Sequence, residues 1–230
     1  MNNEKIFINN IDISQYGARA LRDSISIGGT PVTNDYFQGR NRSSYVLMST
    51  TYGLKPVSFT LVFKHQYLKN ATENRSLFEA QAFNGCELYM PDGFYYRCML
   101  DDIGEAKTKG VDGVEVLIEC NYKFVGIQHD DMITIADGTH FVAKGTLPKT
   151  DCILSVTVGA NASSYTLGGA VFENVVAGDV LVVDGINKRF LKNGAPAVAT
   201  NWIGFPYITQ GENAFIATDI VTVEYFPCYI

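Results

Sequence analysis

The chain has 230 residues, enough for one or two domains with a real core. Hydrophobic residues make up 47% and charged residues 18%, an ordinary globular balance with no disordered tract. The net charge is −6, with 13 basic against 14 acidic residues up to Gly126 and 5 against 10 beyond it. No basic stripe exists, which argues against a nucleic-acid partner.

Aromatics reach 12% and glycines number 21, a composition that favours strands and tight turns over helix bundles. The segment from Met1 to Ile8 lacks the apolar stretch of a signal peptide, and no run is long enough to cross a membrane as a helix. The expectation is synthesis in a cytosol without membrane insertion. Five cysteines, Cys86, Cys98, Cys120, Cys152 and Cys228, are odd in number and widely spaced, with no C-x-x-C pair. Zinc and thioredoxin-like readings fail on that spacing, leaving buried free thiols or one or two disulfides.

Apolar and polar residues alternate at Ile6–Ile8, Ile11–Ile13 and Ser24–Ile27, as in half-buried strands. Gly28, Gly29 and Pro31 break the pattern. Residues 30–53 are polar and aromatic, with Tyr36, Phe37, Arg40, Arg42 and Tyr45 among them, and read either as an edge hairpin or as an extended functional arm in which Tyr36 and Phe37 suit an interface. Val57, Phe59, Leu61 and Phe63 then share one face of the clearest strand in the first half.

One helix is expected over 71–84, capped by Asn70 or Thr72 and stopped by Gly85. Leu77, Phe78, Ala80, Ala82 and Phe83 form its apolar face. Strands follow on either side of a Pro91-Asp92-Gly93 turn, and a further strand alternates Val114, Val116, Ile118, Cys120, Tyr122 and Phe124. His129, Asp130 and Asp131 read as a short polar linker.

Beyond it the chain is all strand by pattern: 132–135, 140–143, 153–158, 164–167, 180–183, 188–191, 214–217 and 220–226. Short strands with frequent turns indicate a β-sandwich. Gly178 and Asp179 read as a turn, Asn193 and Gly194 as a type I′ hairpin turn, and Phe205-Pro206 as a rigid bend. Gly211 and Asn213 are expected at positive φ between strands.

Nothing in this pattern carries catalysis. His65, His129 and His140 lack metal-ligand spacing, and no nucleophile elbow or phosphate loop exists. Asp101 and Asp102 alternate in direction on an extended chain and read as a solvated pair. No catalytic residue, metal or cofactor is expected. Trp202, Phe205 and Tyr207 lie beside loops. Core packing is the simpler use of Trp202 and Phe205; Trp202 and Tyr207 are also candidates for contact with a sugar or a partner.

The order of these elements resembles the distal tail protein (Dit) family of long-tailed siphophages. The resemblance spans nearly the whole chain. It rests on the helix beginning Asn70-Ala71-Thr72-Glu73, the Pro91-Asp92-Gly93 turn among aromatics, and the ordered series Gly178, Asp179, Asn193, Gly194, Phe205, Pro206, Gly211 and Asn213. Each pair alone is a generic turn; the ordered spacing carries the likeness.

The resemblance implies a mainly β, two-domain subunit. Residues 1–128 would be a β-sandwich with one α-helix that forms a hexameric ring, in which residues 30–53 match the arm that clasps a neighbouring subunit, with Tyr36, Phe37, Arg40, Arg42 and Tyr45 as candidate subunit contacts. Residues 129–230 would be a galectin-like or carbohydrate-module-like β-sandwich, with the last strand, 222–230, assignable to either domain. It implies a structural hub at the virion tail tip, made in the bacterial host cytoplasm, joining the tail tube protein to a tail-associated spike or hub protein. Its partners would be further copies of itself, those tail proteins, and a receptor-binding protein or host-surface glycan. The source would be a phage, a prophage or a phage-derived particle. The competing reading is a carbohydrate-binding host-adhesion module; an enzyme has no acid pair to support it.

Overall fold

Residues 5–40, 43–111 and 115–230 are described by the structure, a computed structural model. Arg42 and Val114 therefore lie outside the described residues. The chain is mainly β, and it divides into two compact units, one through Gln128 and one from His129 to Tyr229, with Ile230 grouped with the first.

In the first unit, β1 (Phe7–Ile8) and β2 (Ile11–Asp12) lead through a 3-10 turn (Ile13–Tyr16) to β3 (Ala18–Ala20) and β4 (Ser26–Ile27). Next come β5 (Val32–Gln38), β6 (Tyr45–Tyr52) and β7 (Lys55–His65), then α1 (Leu68–Ala82). The unit ends on β8 (Cys86–Tyr89), β9 (Tyr95–Ile103), β10 (Lys107–Val111) and β11 (Glu115–His129). The main sheet runs β2-β1-β8-β9-β11-β7-β3, with β4 also on β7 and β10 on β11.

Alternation along β7 and β11 is what closes the core. Val57, Phe59, Leu61 and Phe63 stand directly opposite Phe124, Tyr122, Cys120 and Ile118, so one face of the pair is wholly apolar. Phe78 of α1 completes that face, 5.0 Å from the Tyr122 ring and 6.0 Å from Phe63 and Tyr16. The Tyr122 hydroxyl donates to Glu79 Oε1 at 3.0 Å, which satisfies the one polar atom the ring brings inward.

Three expectations are corrected here. Helix α1 starts earlier than 71, with extended Tyr67 at its N-cap and no side-chain cap; Asn70 and Thr72 fall inside the helix, where Thr72 Oγ1 donates to Leu68 O one turn back. Its buried residues are Ala71, Phe78 and Ala82, whereas Leu77 and Phe83 are exposed. At the seam, β11 continues through Gln128 and His129, both buried, so strand and not solvated linker occupies His129.

The second unit contains β12 (Ile133–Ile135), β13 (Phe141–Ala143), β14 (Lys149–Thr157), β15 (Ala162–Leu167), β16 (Ala170–Val175), β17 (Val180–Asp184), β18 (Arg189–Lys192), β19 (Ala195–Pro196), β20 (Tyr207–Thr209), β21 (Gly211–Asn213) and β22 (Thr222–Tyr225). Its main sheet runs β12-β22-β14-β17-β18-β19, with β20 also on β14. The β15–β16 hairpin supplies Tyr165, Leu167, Ala170, Phe172 and Val175 to the same core as Leu154, Val156, Leu181 and Val183. Strand β22 pairs with β12 and β14.

Two differences from the sequence reading stand out. Residues 214–217 form no ladder: their alternation sets Phe215 on Phe141, centroids 6.3 Å apart, held by one backbone bond to Gly138. Strand β16 goes unread because two glycines, Gly168 and Gly169 at φ 56° and 82°, turn the chain directly into it. Asn193 and Gly194 take φ 52° and 78°, as a type I′ turn requires. Gly211 takes φ 92°, but Asn213 is a strand residue whose amide bonds Thr209 and Gly211 instead.

All five cysteines are free and buried. Burial pushes the Cys86 and Cys152 thiols up to about 12 and raises Cys98 and Cys120 as well. At pH 8 the native chain should therefore give no fast reaction with an aromatic disulfide reagent, and five equivalents after unfolding. A fast-reacting thiol in the folded protein would contradict this packing.

Two of the carboxylates that hold turns in the second unit are Asp179 and Asp184. Asp179, buried, accepts from Lys192 Nζ, Val176 N and Asn193 Nδ2, each at 2.8 Å, and the Lys192 ammonium with these donors holds its pKa at about 2. Burial pushes Asp184 up, but the Asn187 backbone and amide N–H groups and Arg189 outweigh it and lower its pKa. A depressed folded-state pKa gives stability that is complete above the unfolded value, about 4, and lost as pH falls through the native one. Urea midpoints of the second unit should thus hold from pH 7 to 5 and drop between pH 4 and 2. Asp179→Asn should flatten part of that drop; an unchanged slope would remove Asp179 from the account.

Candidate subunit-contact arm

Strands β5 and β6 pair only with each other. Thr, Val and Tyr suit extended backbone, Asn34 and Thr50 bond across the ladder at 2.9 Å, and Gly53 N closes the base on Pro31 O at 2.8 Å. Asp35 faces Ser49 and the next residue, Tyr36, faces Leu47, so Met48 is an extra residue in a bulge. Tyr36 and Tyr45 meet edge to face at 6.0 Å.

Every residue of β5 is exposed, and so is most of β6. Tyr36, Phe37, Tyr45, Val46, Leu47 and Met48 are between 53% and 67% exposed. Register sets Tyr36 with Leu47 and Phe37 with Val46, and successive pairs point to opposite faces, so the distal hairpin is apolar on both sides. A lone two-stranded hairpin is marginal in water, and an apolar patch of this kind marks an interaction surface. Arg40 is exposed in the tip turn.

The structure brings Tyr36, Phe37 and Tyr45 together on this arm. Sequence reasoning missed Val46, Leu47 and Met48, although three successive apolar residues in an otherwise alternating strand are a detectable signal. A second uncovered apolar surface is the outer side of α1, where Leu77, Ala80 and Phe83 are exposed at helical spacing.

The turn residues Gly178, Asp179, Asn193, Gly194, Gly211 and Asn213 serve the scaffold in the ways given above. Phe205 is half-buried, stacked on Phe190 at 5.1 Å, and Pro206 is buried. Trp202 lies 4.8 Å from Phe205 and stays 44% exposed, so it is not a core residue; Tyr207 is 45% exposed. Among the described residues, no three His, Cys, Asp or Glu side chains are grouped to hold a metal, and no helix is long and apolar enough to cross a membrane.

No protein-family model matches the sequence, and no curated protein does. Solved structures do match. The SPP1 Dit protein, described as a paradigm of the hub adsorption apparatus in phages that infect Gram-positive bacteria, aligns over 99% of each chain with a TM-score of 0.69 and 9% identity. The chain has the fold of a Dit hub protein. Chains of the phage P2 baseplate in its activated conformation align as well. The calcium form gives a TM-score of 0.56 at 12% identity over 99% of this chain and 98% of that one. The strontium form gives 0.55 at 12% identity over 97% of each. At such identities the likeness is one of fold.

Proposed function

We propose that this chain is a structural phage tail hub protein, not an enzyme, that assembles as a homohexameric ring at the virion tail tip. The observation that carries the reading is the whole-chain likeness to the SPP1 Dit hub. The two-faced apolar arm supports it, because a subunit that meets the next one through unlike surfaces builds a ring when the rotation closes. In this reading residues 1–128 form the ring and the β5–β6 arm clasps the neighbouring subunit. One ring face meets the tail tube protein and the other a tail-associated spike. Residues 129–230 form a galectin-like sandwich that carries a receptor-binding protein.

Light scattering on the purified chain, and native mass measurement, test this. The expected particle has six times the subunit mass. A chain that remains monomeric at high concentration, and is absent from purified tails by mass spectrometry, would sink the proposal.

A further inference from the structure

Outside the arm, the surface of the second unit carries an unusual strip. Phe205 and Tyr207 flank buried Pro206, whose carbonyl accepts a backbone bond from Cys152 N; Tyr207 is exposed and Phe205 is half-buried against the core. Two residues of extended chain set them about 7 Å apart. Trp202 extends the first platform, 4.8 Å from Phe205, and Phe190 meets Trp202 edge to face at 5.5 Å and stacks on Phe205 at 5.1 Å.

Charged groups lie against the same rings. Lys188 Nζ lies 5.5 Å from the Phe205 centroid and 2.9 Å from Asp151 Oδ1. Asp151 is the register partner of Tyr207, and Lys149 Nζ sits 4.5 Å over the Tyr207 ring. Lys188 and Asp151 each keep about half of their side-chain surface in water, at 51%.

A protein partner fits this composition poorly, since the centres of protein interfaces are depleted of Lys and Asp. A sugar ring fits it well. A pyranose has an apolar face of C–H bonds, which stacks on an aromatic ring, and a rim of hydroxyls that needs donors and acceptors at the ring's edge. Exposed Trp202 and Tyr207, with one carboxylate and two ammonium groups beside them, supply both. The Phe190 contacts hold Trp202 and Phe205, and the β14–β20 register holds Tyr207, before binding, which cuts the ordering cost.

We propose that Trp202, Phe205 and Tyr207 form a saccharide-binding strip, with Asp151 accepting from sugar hydroxyls and Lys149 and Lys188 donating to them. The strip lies wholly in the second unit, so it stands or falls independently of ring assembly. Trp202 is the sole tryptophan of the chain, so intrinsic emission reports on the strip alone. The full chain should be titrated with cellohexaose, maltohexaose, laminarihexaose, chitohexaose and a hyaluronan hexasaccharide. At least one should give a saturable change in Trp202 emission, with affinity lowered tenfold or more by Tyr207→Ala and by Asp151→Ala while the melting temperature is unchanged. No response across the panel overturns the proposal, as does binding that survives both substitutions. A Trp202 response that appears only with another tail protein marks the strip as a protein contact and overturns it equally.

Discussion

The doubly substituted chain Phe37→Asp, Val46→Asp should remain folded but fail to assemble. Phe37 and Val46 face each other across the arm, are 65% and 64% exposed and belong to neither hydrophobic core, so the core of their own subunit does not depend on them. Burial of side chains of this size is worth about 2 kcal/mol each. Losing two such contacts, about 4 kcal/mol per arm, weakens each subunit contact by roughly a thousandfold. Burying two new carboxylates against a neighbour weakens it further. Sedimentation velocity should show the wild-type particle replaced by monomer, with the melting temperature of the monomer unchanged. Asp35→Asn, on the same strand but without apolar contact, is the control and should assemble normally. Assembly that survives the double substitution would dismiss the arm as the clasp; a collapsed melting temperature would mean that the hairpin belongs to the subunit's own core.

The arm also explains what could be read from the sequence and what could not. Strands β7 and β11 were legible because one face meets the core and the other meets water, so alternation is clean from Val57 to Phe63 and from Ile118 to Phe124. Asn193-Gly194 was legible because its backbone needs residues that tolerate positive φ. The α1 face was not, because Leu77, Phe78, Ala80, Ala82 and Phe83 are all apolar, yet only Phe78 and Ala82 of these are buried. Apolar residues kept for contact with another molecule carry the same signal as apolar residues kept for the core. Periodicity in one sequence adds the two faces together. Asp151, Lys149 and Lys188 were invisible for another reason: charged residues on separate strands become neighbours of Tyr207 and Phe205 only through the β14–β20 register.

Adjacent residues on α1 separate these two kinds of apolar residue by experiment. Phe78 is fully buried among Tyr16, Phe63 and Tyr122, so Phe78→Ala leaves a cavity where four rings now meet. Its cost is about 3–5 kcal/mol, a drop on the order of 10 °C in the melting of the first unit. The loss extends beyond the ring itself, since α1 holds Glu79 against the Tyr122 hydroxyl. Leu77, one residue earlier, is 57% exposed. Leu77→Ala should shift monomer stability by no more than about 0.5 kcal/mol. Calorimetry on the two variants gives the comparison, and light scattering adds whether Leu77→Ala weakens self-association. Equal losses of stability would mean that α1 is rotated from the position described; a stable Phe78→Ala variant would mean that the core closes without the helix.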